Sequence, residues 1–188
     1  MFSTNTGRRT RKSAGMILGF VTVLFTGAVA LAGPASAATV TAQLDSGRIL
    51  VNGSPADDGI EITLNAAGTV VTVSNTLGSV AAGFGCTQSG GEAKCPTGGI
   101  DRVEVFAGDG IDAIRNNTNL PSTLSGDNGV DTVNGGSGAD NLFGGFGDDT
   151  LNGRGGNDRL IGSIGTDTLN GGADTDRCDG EIETNCEL

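Results

Sequence analysis

Aspartate recurs at intervals of nine residues through the last third of the chain, and this period constrains the fold more than any other feature. The six positions follow one another without a slip: Asp131, Asp140, Asp149, Asp158, Asp167 and Asp176. An apolar residue or Cys stands two places after each Asp, and Gly fills most of the places before it. Short repeats of fixed length predict a solenoid, in which every unit stacks on its neighbours.

Nine residues suffice for one tight turn and one very short strand. Gly permits the positive φ angles that such turns need, and the apolar residue points inward because strand side chains alternate between faces. Two units then complete one coil, and equivalent turns stack along the same edge. We therefore expect an all-β protein: a right-handed parallel β-roll or β-solenoid of nonapeptide repeats, preceded by a region of short strands.

The purest copies, Gly135–Phe143 and Gly144–Asn152, read G-G-x-G-x-D-x-U-x, where U is apolar. This pattern resembles the RTX (repeats-in-toxin, haemolysin-type) family of calcium-binding β-rolls, and the resemblance covers residues 107–179. It implies that the sixth-position carboxylates and the carbonyls of the Gly-rich turns bind Ca²⁺ between adjacent coils. The implied carboxylate ligands are Asp112, Asp131, Asp140, Asp149, Asp158, Asp167 and Asp176, and the implied carbonyl ligands are Gly135, Ser137, Gly144, Phe146 and Gly153.

Stacking pairs each aspartate with the one a full coil away. The resemblance implies about four good sites, two along each edge: Asp131 with Asp149, Asp149 with Asp167, Asp140 with Asp158, and Asp158 with Asp176. Calcium suits such sites because it takes six to eight oxygens from carboxylates and carbonyls. Softer metals prefer His or Cys thiolates, and the chain has no His.

One unit of the array is damaged. Asn117–Ser125 carries Ser122 in place of the Asp, and an extra residue near Asn116 puts Asp112 nineteen residues before Asp131. We expect a bulge there, a missing ligand and a weaker Asp112 site. Arg154, Ser163 and Asp174 replace Gly in later turns, where we expect altered geometry.

The N-terminus has the composition of a secretory signal. Four basic residues between positions 8 and 12 precede an apolar stretch, residues 14–32, and a small A-x-A triplet ending at Ala37. This order predicts a cleaved signal peptide over residues 1–37. The alternative is a membrane anchor, since the stretch is just long enough to span a bilayer, but the triplet favours cleavage.

Cleavage would leave a strongly acidic chain. It removes four of the 11 basic residues and none of the 22 acidic ones, so the net charge becomes −15. Such a chain repels nucleic acid and anionic membranes and attracts cations. We expect no nucleic-acid partner and no stable membrane insertion after signal cleavage.

Four cysteines lie in the exported part, where disulfides are plausible. Three pairings are possible, and closeness in sequence favours Cys86–Cys95 and Cys178–Cys186. The alternative of a zinc site needs tighter spacing and usually His.

Residues 38–106 read as short strands separated by Gly and Asn, with a loop closed by Cys86–Cys95. Residues 53–61 resemble a faded repeat with Asp58 and Ile60 in register, although chance competes with that interpretation. Whether this region continues the solenoid stays open. Residues 180–188 keep no repeat register and are expected to form a C-terminal cap, held by Cys178–Cys186.

A second period runs inside the first. Alternate strands read Thr-apolar-Asn, which stacks two polar ladders on one face: Thr132, Thr150 and Thr168, and Asn134, Asn152 and Asn170. The ladders serve either to satisfy one another by hydrogen bonding between coils or to bind a repetitive surface such as a glycan.

The sequence argues against an enzyme. Without His it cannot form a Ser–His or Cys–His pair, and it has no Trp or Tyr to stack against a sugar. The leading hypothesis is a small secreted calcium-binding protein from a Gram-positive bacterium, similar to small secreted actinobacterial calcium-binding proteins. It would be extracellular, fold on binding calcium, and act structurally or as a binding module. The alternative is a calcium-dependent adhesin-like module for a cell surface or extracellular polymer.

Overall fold

A computed structural model describes residues 39–187, which lie within one compact unit, Pro34–Leu188. The predicted signal peptide falls outside the described residues. No helix capable of crossing a bilayer is present between residues 39 and 187.

The described residues form strands joined by turns. In chain order the strands are β1 (Val40–Asp45), β2 (Arg48–Asn52), β3 (Gly59–Leu64), β4 (Val70–Asn75), β5 (Val80–Ala82), β6 (Thr87–Ser89), β7 (Glu92–Pro96), β8 (Arg102–Asp109), β9 (Ala113–Asn117), β10 (Ser122–Asn128), β11 (Thr132–Asn134), β12 (Asp140–Phe146), β13 (Thr150–Gly155), β14 (Arg159–Ile164), β15 (Thr168–Ala173), β16 (Arg177–Asp179) and β17 (Ile182–Thr184).

Two sheets face each other, and from β8 onward the chain visits them alternately. The first sheet has the order β16-β14-β12-β10-β8-β2-β1-β5, and the second has the order β17-β15-β13-β11-β9-β3-β4-β7-β6. From β8 onward every pairing within a sheet is parallel, and Leu142 lies opposite Leu160 as Leu151 lies opposite Leu169. The expected β-roll of stacked coils is confirmed.

In the repeats, one apolar side chain per nonapeptide fills the space between the sheets. Each nonapeptide contributes its one inward residue, and Leu142, Leu151 and Leu160 are fully buried. The polar neighbours of these residues point outward, as strand alternation requires. A core this thin buries little apolar surface per residue, so other interactions must help to hold the coils together.

The N-terminal region continues both sheets, which answers the question that the sequence left open. β2 pairs in parallel with β8, and β3 pairs in parallel with β9. Both pairings join residues 54 apart, as Asp58 and Asp112 are, which is three coil periods. Residues 65–101, between β3 and β8, hold the antiparallel strands β4, β6 and β7. The expected boundary at residue 106 therefore falls within β8.

The extra residue of the damaged unit lies where the sequence placed it. Ile114 on β9 is opposite Val133 on β11, so the register shifts by nineteen here and returns to eighteen in the next coil. The additional residue therefore lies between Ile114 and Leu124, and the inward residue Leu124 stays in line with Leu142.

The tail differs from expectation. β17 pairs in parallel with β15, with Thr168 opposite Ile182, so residues 180–187 are not without register but form a shortened last coil. The repeat pattern does not reveal this coil, because the coil has fewer than eighteen residues. Both expected disulfides, Cys86–Cys95 and Cys178–Cys186, are present.

Candidate metal sites

The repeated aspartates form two columns, one along each edge of the roll. The first aspartate column lies in the turns that lead from the first sheet to the second and comprises Asp58, Asp112, Asp131, Asp149 and Asp167. The second aspartate column lies in the opposite turns and comprises Asp140, Asp158 and Asp176. All eight residues are at most 3% exposed, so each carboxyl group is largely shielded from solvent.

One hydrogen bond repeats along each column. In the first column the N–H of Asp131 donates to Oδ1 of Asp149 at 2.8 Å, and the N–H of Asp149 donates to Oδ1 of Asp167 at 2.9 Å. In the second column the N–H of Asp158 donates to Oδ1 of Asp176 at 2.9 Å. Every aspartate of the columns except Asp58 thus uses one oxygen to connect its coil to the previous one.

The second oxygen of most of these carboxylates has nothing to bind. Within residues 39–187 the buried Oδ2 atoms without a hydrogen-bond partner belong to Asp112, Asp131, Asp149, Asp158, Asp167 and Asp176. A buried, unpaired carboxylate oxygen is strongly unfavourable unless a proton or a cation satisfies it. Six such atoms in two regular columns fit a bound cation better than a defect of packing.

The pKa values of these aspartates also indicate that the buried carboxylates need a proton or a cation. Burial raises the pKa of Asp112 and of Asp158 to about 7, with the neighbouring carboxylates adding to the effect. Burial raises the pKa of Asp149 to about 6. Without a cation, part of this array would therefore carry protons near neutral pH.

Backbone carbonyls face the same places as the unpaired oxygens. A Cβ placed on Gly144 would meet the unpaired Oδ2 of Asp149 and would lie 2.7 Å from the carbonyl oxygen of Gly162. The first Gly of each repeat, Gly135 and Gly153 included, is buried beneath the carboxylate of its own turn in the same way. The donor set that converges here consists of carboxylate and carbonyl oxygens, which are the ligands that Ca²⁺ prefers.

The third-position residues lie in the same turns. The carbonyl of Phe146 accepts the N–H of Gly129 at 2.8 Å, and its second lone pair is available to a metal. The N–H of Ser137 donates to the carbonyl of Thr118 at 3.1 Å. In the described chain no cluster of three Cys, Asp or Glu side chains could hold a metal alone, so a metal in these turns depends on backbone oxygens.

Positive φ explains the residue types of the turns. Gly145 and Gly147 have φ of 120° and 131°, which glycine adopts without strain. Arg154, Ser163 and Asp174 replace glycine at the same two positions and keep positive φ, at 72°, 84° and 80°. The backbone stays in the positive-φ region at these positions, and the three substituted residues bear the backbone strain.

The damaged turn has its own hydrogen bonds. Ser122, which replaces the aspartate, donates its hydroxyl to Oδ1 of Asp140 at 2.7 Å, and the N–H of Gly136 donates to Oδ2 at 2.7 Å. Both oxygens of Asp140 are therefore satisfied without a cation. Arg154 donates to the carbonyl of Asn116 and to Oδ1 of Asn117, both at 3.2 Å, and places a positive charge beside this turn.

Asp58 lies in the faded repeat of residues 53–61 and is not among the ligands implied by the sequence, yet it begins the first column. Its N–H donates to Oδ1 of Asp112 at 2.7 Å, as in the later coils. Its own oxygens accept hydrogen bonds from the amide of Asn75 and the N–H of Ser54, both at 2.7 Å. The signal was the 54-residue spacing, a multiple of the coil period, which residues 65–101 disguise.

The polar ladders lie on the outer face of the second sheet. Thr132, Thr150 and Thr168 are opposite one another, and so are Asn134, Asn152 and Asn170. The threonines are exposed and the asparagines half-buried. Each ladder threonine directly follows an aspartate of the first column, but the threonine is exposed whereas the aspartate is buried.

A model of a known protein family matches the repeat region. The family model for the RTX calcium-binding nonapeptide repeat (4 copies) matches residues 125–160 and residues 152–183. No curated protein and no solved structure matches the chain. The matched segments contain five of the six aspartates with an unpaired Oδ2, all but Asp112. Residues 125–183 therefore carry RTX calcium-binding nonapeptide repeats, and these repeats form a β-roll.

Proposed function

We propose that this chain is a secreted calcium-binding protein whose β-roll folds as it binds several Ca²⁺ ions between neighbouring coils. The observation that carries the proposal is the row of buried Oδ2 atoms that lack a partner within residues 39–187. The proposed carboxylate ligands are Asp112, Asp131, Asp140, Asp149, Asp158, Asp167 and Asp176, and the proposed carbonyl ligands are those of Gly135, Ser137, Gly144, Phe146 and Gly153.

We rank the proposed sites by the number of unpaired oxygens that each offers. The pairs Asp131–Asp149 and Asp149–Asp167 offer two unpaired Oδ2 atoms each, and so does Asp158 with Asp176. The pair Asp140–Asp158 offers one, because both oxygens of Asp140 are hydrogen-bonded, and we expect weaker binding there. The hydrogen bond from the Asp112 N–H to Oδ1 of Asp131, at 2.8 Å, supports including Asp112 despite the extra residue.

Calcium would supply a large part of the stability. If free Ca²⁺ exceeds each dissociation constant tenfold, linkage contributes about 1.4 kcal/mol per site, or about 5–6 kcal/mol for four sites. A domain is typically stable by about 5–15 kcal/mol in total. The roll offers one inward side chain per nine residues against a backbone ordering cost of about 1–2 kcal/mol per residue. We therefore expect a largely disordered roll without calcium.

Secretion is proposed from the N-terminal sequence and the disulfides. The signal predicted over residues 1–37 and the pairs Cys86–Cys95 and Cys178–Cys186 both fit an oxidising compartment outside the cytoplasm. We propose an extracellular location and a Gram-positive source. A structural or binding role is favoured over an enzymatic one, because the aspartates that might act as acids or bases are proposed metal ligands.

The Thr and Asn ladders favour a second candidate function, a calcium-dependent adhesin-like module. Repeated hydroxyl and amide groups at the spacing of a sheet could bind a repetitive polymer through hydrogen bonds. Replacing Thr150 and Asn152 by Lys should abolish binding to cell-wall material while leaving calcium-dependent folding intact. Equal retention of the variant and the unaltered protein on that material, with and without calcium, would exclude this function for the ladders.

Calorimetric titration of residues 38–188 with CaCl₂ tests the main proposal. We expect several ions per chain, about four, with heat that includes folding. Magnesium titrated in parallel is the control, because its strict octahedral geometry suits these turns less well. A chain that binds no calcium at millimolar concentration would contradict the proposal.

A further inference from the structure

The tail supplies a carboxylate to the end of each aspartate column. The N–H of Asp167 donates to Oε2 of Glu181 at 2.9 Å, and the N–H of Asp176 donates to Oε2 of Glu187. In the coils from Asp131 to Asp176 the corresponding acceptor is an Asp Oδ1, eighteen residues along the chain. In the tail it is a Glu only 14 and 11 residues along. The longer Glu side chain spans the gap that a shortened coil leaves.

Asn185 reproduces a second feature of the repeats. A Cβ on Gly171 would meet the carbonyl oxygen of Asn185 and, at 2.6 Å, Oδ2 of Asp176. The same two kinds of oxygen lie beside Gly135, where they come from Gly153 and Asp140. The carbonyl of Asn185 thus stands where the first Gly of a further repeat would place its own.

Oxygen atoms of three residues meet at the end of the second column. Asp176 is fully buried, and its Oδ2 has no partner among the residues that the structure describes. The carbonyl of Asn185 and the carboxylate of Glu187 lie on the other side of the same turn. Within residues 39–187 no Lys or Arg forms an ion pair with Asp176 or Glu187.

The opposite end of the roll is closed in another way. There Asp58 receives the amide of Asn75 on one oxygen and the N–H of Ser54 on the other, so both oxygens are paired with donors. A column end can therefore be completed by hydrogen bonds alone when donors are supplied. The end at Asp176 receives only oxygens on its open side, which is the donor set of a cation site.

We propose a terminal Ca²⁺ site formed by the carboxylates of Asp176 and Glu187 and the carbonyl of Asn185. It lies at the end of the roll, and two of its three residues, Asn185 and Glu187, follow the last residue matched by the repeat family. Asn185 and Glu187 flank Cys186, whose disulfide to Cys178 holds them against the last coil. The terminal site is therefore complete only in the oxidised protein. This inference rests on the proposed calcium-binding function.

Calcium stoichiometry of residues 38–188 and of the variant Glu187→Gln tests the site. We expect the variant to bind one ion fewer, or to bind one ion at least tenfold more weakly. Glu183→Gln is the matched control, because Glu183 is exposed on β17 and accepts only the N–H of Gly180; its stoichiometry should be unchanged. The double variant Cys178→Ser, Cys186→Ser should lose the same ion as Glu187→Gln.

The outcomes separate this inference from the function on which it rests. If the unaltered protein binds no calcium, both proposals fail. If it binds calcium and Glu187→Gln binds the same number of ions with the same affinity, the terminal site alone is overturned. Hydrogen exchange of the unaltered protein gives a test that needs no variant: calcium should slow exchange in residues 180–187 at least tenfold. Protection confined to the repeats would also overturn the site.

Discussion

Replacing Asp149 by Asn should stabilise the fold when calcium is absent and destabilise it when calcium is present. Asn keeps the oxygen that accepts the N–H of Asp131 and replaces the unpaired Oδ2 by an amide. The carbonyl oxygen of Gly162 lies 2.7 Å from the Cβ position of Gly144, beside this atom, and can accept the new N–H. In the absence of calcium the substitution therefore turns a buried, unpaired charge into a hydrogen bond.

The magnitude follows from the carboxyl's environment. Burial raises the pKa of Asp149 from 3.8 to about 6, which corresponds to about 3 kcal/mol against the charged form in the metal-free fold at neutral pH. We expect Asp149→Asn to stabilise the metal-free protein by about 1–3 kcal/mol. With calcium in tenfold excess, the variant should lose up to about 3 kcal/mol, because two proposed sites share this carboxylate.

Circular dichroism in chelator, where the variant should show more β-sheet signal than the unaltered protein, and thermal unfolding in millimolar CaCl₂ measure the two effects. Asp148→Asn is the control: it removes the same charge from the neighbouring residue, whose exposed carboxylate accepts the N–H of Thr166. The control should change the β-sheet signal in chelator and the unfolding transition in calcium only slightly. If Asp149→Asn lowered stability equally in chelator and in calcium, the carboxylate would be a structural hydrogen-bond acceptor, and the reasoning would be refuted.

Three further predictions concern protons, turns and packing. Burial raises the pKa of Asp112 and Asp158 from 3.8 to about 7. Above pH 7 their charged carboxylates therefore destabilise the metal-free fold, and this destabilisation disappears as the pH falls toward 3.8, the pKa of the unfolded chain. Metal-free protein should therefore gain β-sheet signal on acidification from pH 8 to pH 5. Ser163→Gly should raise the free energy of unfolding by about 1 kcal/mol, measured by urea denaturation, because Ser163 holds φ at 84°. Gly144→Ala should lower calcium affinity and the unfolding midpoint together, because a Cβ there meets Oδ2 of Asp149.

Periodicity allowed the roll and its aspartates to be predicted, because each nonapeptide repeats the same local requirements. Val133, Leu142 and Leu151 are inward and Gly145 and Gly147 have positive φ, and all could be assigned without any long-range information. The calcium-binding roles stay predictions until a titration tests them.

The ends of the roll could not be predicted, because their contacts are long-range and outside the period. Asp58 is separated from Asp112 by residues 65–101, whose strands join the sheets through antiparallel pairings that no repeat specifies. Glu181 and Glu187 follow intervals of 14 and 11 residues and use a different side chain. Only the fold shows that they complete the columns.

We propose that cations between stacked turns hold the coils together. The most direct measurement is a calcium titration of chelator-treated residues 38–188, with circular dichroism and bound calcium recorded on the same samples. We predict a weak β-sheet signal in chelator that grows in proportion to the ions bound, until several are held per chain. A full β-sheet spectrum in chelator, unchanged by millimolar calcium, would contradict the account.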